Sequence, residues 1–174
     1  MDKPQEAIDL TKLDNNYVLV YHGSNSIVSN PKIRIGKFTK DFYWGFNCAL
    51  LQDQAEKWAN RNIKTKVVNI YKLINTSNLK FKQFKEMDEE WLEFIVNCRN
   101  GGSHDYEIVE GPMADDTIYN YINDYVDGII SKAAFWELVK FKYPTHQISF
   151  HSARALECLK FERSYELSYG KEIK

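Results

Sequence analysis

What most constrains the fold of this chain is the order in which two-residue and 3.6-residue hydrophobic periods succeed one another, because that order is irregular. Tyr17-Val18-Leu19-Val20-Tyr21 is a β-branched and aromatic run of strand length. Residues 67–73 form a second such run, and residues 79–84 alternate cleanly as a shorter strand near an edge. Helical spacing governs residues 51–60, with Ala55, Trp58 and Ala59 on the inward stripe. It returns after Asp88, where Trp91, Phe94, Ile95 and Cys98 share a face; Asp88 is placed to cap that helix and Gly101-Gly102 to stop it. A strand is expected at residues 106–109. A helix capped by Asp115 and Asp116 should follow, carrying Ile118, Tyr121, Ile122 and Tyr125 on one face, and another should start at Ser131. Tyr143-Pro144-Thr145 breaks the pattern, after which residues 147–151 and 159–167 read as strands around a helical turn at 153–158. Regular strand-helix alternation would mean a doubly wound parallel sheet. The mixed order predicts an α+β fold instead, with antiparallel pairing and helices packed on the sheet.

The 174 residues fit one domain, read as an N-terminal extension at 1–16 and a single folded unit at 17–174. Hydrophobic residues make up 44% of the chain and aromatic ones 14%, enough for a core without metal or disulfides. Cys48, Cys98 and Cys158 stand far apart in apolar stretches, in no metal-ligand spacing, and are expected as small core residues in a reducing compartment. A net charge of -1 excludes a protein that holds nucleic acid by bulk charge, while a local basic groove stays compatible with it. Residues 1–15 are polar and charged and no run is long enough to span a bilayer, so a cytoplasmic protein without membrane association is expected.

The chain has no phosphate-cradling Gly-rich loop, no Gly-x-Ser-x-Gly, no His-Glu-x-x-His and no Cys-x-x-Cys, which removes the common routes to nucleotide hydrolysis, esterase and zinc chemistry. What remains is the first strand, which delivers His22-Gly23-Ser24 to its end. A long loop at residues 25–44, of a kind suited to folding over a ligand, comes next. A histidine in that place is either a structural hydrogen-bonding group or a ligand contact. Four segments then occur in a meaningful order. They are Tyr21-His22-Gly23-Ser24; Asp41-Phe42-Tyr43-Trp44-Gly45-Phe46-Asn47 with Gln54-Ala55-Glu56-Lys57-Trp58-Ala59; residues 106–116 with Gly111-Pro112-Met113-Ala114-Asp115-Asp116; and His146-Gln147-Ile148-Ser149-Phe150-His151. In that combination, over roughly residues 18–161, the chain resembles a family of uncharacterised bacterial proteins in the ADP-ribosyltransferase superfamily.

The resemblance implies a split antiparallel or mixed sheet with flanking helices, clasping NAD as substrate, and the His-Tyr-Glu triad of the diphtheria-toxin-like branch. His22 matches the first member, which hydrogen-bonds the adenosine ribose and sets the nicotinamide end. Gly23 would let the backbone approach the nicotinamide amide, with Ser24 beside it. Asn47 stands where the family's Tyr stacks on nicotinamide, and Tyr43 and Trp44 either supply an aromatic wall in its place or pack the core. Gln147 stands where the Glu belongs; it can hold a ribose hydroxyl but brings no charge, and Ser149 shares its side of the strand. Arg34 and Lys37 either pair with the pyrophosphate or are solvated surface charges. Asp115 and Asp116 either supply the missing carboxylate or only cap a helix.

The expected function is therefore transfer of ADP-ribose from NAD to a macromolecular acceptor, protein or nucleic acid, with no metal. Similar bacterial proteins look like toxins of toxin-antitoxin or phage-defence loci, which implies a small antitoxin protein as partner. Asn47 and Gln147 support a second expectation, a catalytically degenerate module of the same fold that binds NAD, ADP-ribose or a protein. A structural α+β domain with no nucleotide site is the third.

Overall fold

The computed structural model describes residues 8–62 and 64–168. Its seven strands are β1 (Val18–Ser24), β2 (Phe46–Ala49), β3 (Val67–Leu73), β4 (Phe81–Gln83), β5 (Ile108–Pro112), β6 (His146–Phe150) and β7 (Leu159–Glu166). They form one sheet in the order β4-β5-β6-β2-β1-β3-β7. Only β4 and β5 run parallel; the remaining neighbours are antiparallel. Five helices accompany them: α1 (Gln52–Asn60), α2 (Glu89–Arg99), α3 (Asp116–Val126), α4 (Lys132–Val139) and α5 (Ala153–Glu157). This is the α+β architecture that the irregular succession of periods predicts.

Local chemistry sets the helix ends. The Asp88 carboxylate accepts from the Trp91 amide at 2.8 Å, Asp115 from Ile118 at 2.8 Å, and the Ser131 hydroxyl from Ala134 at 3.1 Å, each satisfying an amide with no partner inside its own helix. Past α2 and α3 the chain reverses through Gly101 and Gly128, at φ 86° and 73°, a backbone region that favours glycine.

The two faces of the sheet are covered differently. One carries a single cluster built on Val20, Phe46, Cys48, Tyr71, Leu73, Ile108, Ile148 and Phe150. Leu10 and Leu13, from the stretch read as an extension, are buried in it around a single 3-10 turn (Leu10–Lys12). The Leu10 carbonyl accepts from the Thr76 hydroxyl at 2.5 Å and the Leu13 carbonyl from the Asn75 amide at 2.9 Å. The other face carries two clusters. Ala55 and Ala59 of α1 pack on Ala49, Val68 and Ile70, while α2, α3 and α4 enclose Val109 and Phe84 with Trp91, Ile95, Ile118, Ile122 and Phe135. All three cysteines are buried and free.

Two strands differ from expectation. The strand expected at 106–109 is β5 at Ile108–Pro112, displaced toward the C-terminus. Glu110 is tolerated there because Gln83 donates to its carboxylate at 3.1 Å and His146 Nδ1 meets the other oxygen. Gly111 fits because a Cβ would lie 2.8 Å from that of Phe84. The alternating run at 79–84 contributes only Phe81–Gln83, and it is an edge strand.

The long loop after β1 is pinned to the sheet by Asn69, which is fully buried. Its Oδ1 accepts from the Val28 amide at 2.8 Å, its Nδ2 donates to the Ser26 carbonyl at 3.1 Å, and the neighbouring Tyr71 hydroxyl donates to the Val28 carbonyl at 2.6 Å. Asn69→Ala leaves the backbone groups of half-buried Val28 and of Ser26 without these partners, at a cost of about 1 kcal/mol or more. The expected result is a melting temperature lower by several degrees and faster hydrogen exchange at Val28; unchanged melting and exchange would show that the loop is held by other contacts.

Candidate functional site

β1 and β2 share one bridge, Tyr21↔Ala49. Beyond it β1 stays with β3 as far as Ser24↔Val67, and β2 stays with β6 from Phe46↔Phe150, so the sheet forks at its centre. The His22 ring reaches across the fork, with Nδ1 at 2.7 Å from the Asn47 carbonyl and its face 4.4 Å from the Phe46 ring. A carbonyl only accepts, so Nδ1 carries the proton and Nε2 is left as a lone-pair acceptor. Burial pushes the imidazole below its ordinary pKa, the Asn47 bond opposes this, and the positive charges of Lys40 and Arg34 add to the depression. His22 is therefore neutral at pH 7, with Nδ1 committed to the fold.

On the face that carries the two helix clusters, the fork continues into a polar seam. Strand alternation turns Asn47, Gln147 and Ser149 toward this face, and the register pairs Asn47 with Ser149 and Ala49 with Gln147. They lie between the α1 cluster and the α2-α4 cluster. Gln147 is 6% exposed and sits two strand spacings, roughly 10 Å, from Tyr21. His22 shares its side of β1 with Val20 and so belongs to the opposite face. The imidazole and the Gln147 amide approach the fork from its two sides and do not touch.

Gly23 has a structural reason of its own. A Cβ there would lie 2.2 Å from the Ala55 carbonyl and 2.7 Å from the Ala59 nitrogen, so the backbone of α1 rests directly on β1. Half-buried Trp58, read in the sequence only as part of a packing stripe, stands at this contact, its Cβ 3.0 Å from the same point.

Beyond Gly45 lies an aromatic pocket of about 290 Å³, walled by Tyr43, Trp44, His104, Tyr106 and His151 and reached by Ile33 and Ile35 of the long loop. His151 Nδ1 donates to the Trp44 carbonyl at 2.9 Å, and its ring meets His104 edge-on at 4.6 Å. His104 Nε2 donates to the Phe42 carbonyl at 3.0 Å, and its Nδ1 accepts from the Tyr106 amide at 3.2 Å. Three buried polar atoms here lack a hydrogen-bond partner among the described residues: Trp44 Nε1, Ser149 Oγ and His151 Nε2. Gly45 lets Ser149 and His151 approach each other, since a Cβ would lie 2.5 Å from Ser149 Oγ and 2.8 Å from His151 Cε1. Tyr43 adopts φ 73°, an uncommon conformation for a bulky residue and one associated with functional loops.

The remaining candidates separate cleanly. Ser24 closes β1 opposite Val67. Arg34 is exposed but near enough to act on His22, as is Lys40, which the sequence reading missed although it lies in the same run of loop cations. Lys37 sits over the Phe38 ring at 5.1 Å. Asp115 caps α3 and Asp116 begins it. The Gly111–Asp116 segment docks that helix, through the Ala114 amide on the Asp41 carboxylate at 2.9 Å and Trp91 Nε1 on the Pro112 carbonyl at 2.9 Å. His104 and His151 are pocket walls. A separate cavity of about 250 Å³ opens beside Trp136, Tyr143 and His146, at the other end of β6.

A family model described as a protein of unknown function, DUF3990, matches residues 18–161. The chain belongs to the DUF3990 family. The match starts at the first residue of β1 and ends within β7, so it spans the fork, the seam and the aromatic pocket. No curated protein matches this DUF3990 chain. None of its described helices is long and apolar enough to cross a membrane.

Burial also pushes His151 down, to about 4, against the bond to Trp44. In the unfolded chain a histidine titrates near 6.5. The native state therefore binds fewer protons than the unfolded one between these values, and the stabilisation present above about 6.5 is lost as pH falls toward 4. His22 acts in the same direction. Thermal melts of His151→Gln should lose stability less steeply than wild type between pH 6.5 and 5. Parallel curves would mean that His151 is not held neutral.

Overpacking tests the close contacts in the same way. Gly23→Ala sets a methyl group against helix backbone, whereas Gly45→Ala meets side chains that can rotate. Gly23→Ala should therefore lower the melting temperature more; the reverse order would mean that α1 can lift from β1.

Proposed function

We propose that this DUF3990 protein binds NAD across the fork and transfers ADP-ribose to a macromolecular acceptor. The observation that carries the reading is the fork itself, with neutral His22 anchored through Nδ1 on Asn47 and a spare acceptor nitrogen. That nitrogen suits a ribose hydroxyl, which donates. Arg34 and Lys40 supply positive charge beside it, suited to a pyrophosphate. Asn47, Gln147 and Ser149 present amide and hydroxyl groups one to two strands away on the opposite face, which a dinucleotide reaches only by passing through the fork.

In this reaction nicotinamide leaves with the bonding electron pair and the acceptor nucleophile attacks the exposed ribose carbon. Gln147 orients a ribose hydroxyl but does not neutralise the cation-like ribose. A missing electrostatic contact of that kind is worth about 3 kcal/mol, so turnover is slow and rests mainly on positioning. By its resemblance to toxins of bacterial conflict loci, the protein acts in the cytoplasm with a small inhibitory protein as companion. The lack of a carboxylate in the seam favours a second reading, a module that binds NAD or ADP-ribose without turnover.

Purified protein incubated with labelled NAD and cell lysate should label an acceptor, His22→Ala should abolish the label, and Gln147→Glu should increase it. NAD should also raise the melting temperature, since a ligand at a hundred times its dissociation constant stabilises by about 2.7 kcal/mol. A thermal shift without label supports the binding module. Neither shift nor label would overturn both readings.

A further inference from the structure

We propose that the aromatic pocket and the cationic loop beside it bind single-stranded nucleic acid, with one unstacked base in the pocket and the backbone along the loop. The proposal names the acceptor class for the transfer reading, but binding itself does not depend on NAD.

Two independent features carry it. Residues 25–40 include Lys32, Arg34, Lys37 and Lys40 and no acidic residue, in a chain whose overall charge is -1. All four cations are exposed, and none forms a salt bridge with a described residue. They alternate with Ile35 and Phe38, each 74% exposed, so the loop offers charge and apolar surface together. Phosphates released from counterions meet the first, and sugar and base faces meet the second.

The second feature is the pocket, which opens where Ile33 and Ile35 of this loop reach Tyr43 and Trp44. Its volume of about 290 Å³ lies at the small end of ligand cavities, and its walls are rings, which take any base on its π-face. Asp105 and Glu107 also line it. Asp105 is paired with Lys80, and Glu107 accepts from the Ser152 hydroxyl at 2.9 Å and the Lys80 amide at 3.1 Å. Carboxylates so placed can accept from a base amino group but repel phosphate and acidic peptide alike, so the pocket suits a base and the phosphates keep to the loop; the ring walls are what favour nucleic acid over an acidic protein. A duplex keeps its bases inside the stack and cannot fill the pocket without extruding one. The pocket adjoins the proposed NAD site through Gly45 and Ser149, so a seated base lies next to the fork.

The test is fluorescence anisotropy without NAD, using fluorescein-labelled twelve-nucleotide DNA and RNA single strands, the matching duplex and a poly-glutamate peptide. The single strands should bind at about 50 mM salt, the duplex about tenfold more weakly. Four phosphate contacts at roughly 0.7 each predict a log-log salt slope near -3, and Arg34→Ala with Lys37→Ala should reduce it by about 1.4. Tyr43→Asn keeps a residue that tolerates the left-handed backbone and removes the ring; it should weaken binding about fivefold or more with the slope unchanged. Absence of binding, equal duplex affinity, or unaltered affinity in Tyr43→Asn with an unaltered slope in the double variant would overturn the proposal. Tighter binding of poly-glutamate would overturn it in favour of an acidic protein partner. Strand binding without NAD-dependent labelling would sink only the transfer reading, and labelling without strand binding only this one.

Discussion

The hydrogen bond from His22 Nδ1 to the Asn47 carbonyl puts a side chain where a backbone amide would otherwise complete the ladder between β1 and β2. A carbonyl withdrawn from water without a donor costs up to about 1–3 kcal/mol, and at the fork the ring supplies that donor to the half-buried Asn47. The imidazole can do so in one protonation state and still keep an acceptor in reserve. A charged ring would meet Lys40 and Arg34 and lose hydration, and both effects favour the neutral form. The shape of the sheet and the electrostatics of its centre thus depend on the same proton.

Around this point the molecule divides its apolar surface unevenly. One face is sealed by a continuous cluster; the other is interrupted where β2 and β6 present amide and hydroxyl side chains. Such groups gain nothing from the apolar packing on either side of them. One of them, Ser149 Oγ, is itself unpartnered among the described residues, as are Trp44 Nε1 and His151 Nε2 nearby, and with a tyrosine in a left-handed conformation this concentrates local conflict in one region. Conflict of that kind is expected where a chain is shaped for a ligand.

Most of the fold was legible in the sequence because it rests on local signals. The period of Val67–Leu73, the caps at Asp88, Asp115 and Ser131, and the glycine stops act within a few residues of themselves. β5 was misplaced because its end depends on distant partners: Gln83 and His146 make Glu110 tolerable, and Phe84 makes Gly111 necessary. The site was legible in its residues but not in its grouping. His22, Asn47, Gln147 and Ser149 were picked out, yet strand parity, which sets His22 and Gln147 on different faces, follows from register rather than from either motif. Tyr43 and Trp44 were noticed, whereas their partnership with His104 and His151 joins segments some sixty and a hundred residues further on, and no local pattern announces it.

The pairing order has a consequence for synthesis. β2 is flanked by β1, made just before it, and by β6, which pairs Phe46 with Phe150 and leaves the ribosome about a hundred residues later. Until β6 arrives, β2 has one neighbour and a single bridge, and the Asn47 segment has no floor beside it. A nascent chain can therefore assemble the β1-β3 pair early but cannot own a complete cleft until nearly all of it has been translated, so whatever the centre does is withheld from every shorter product.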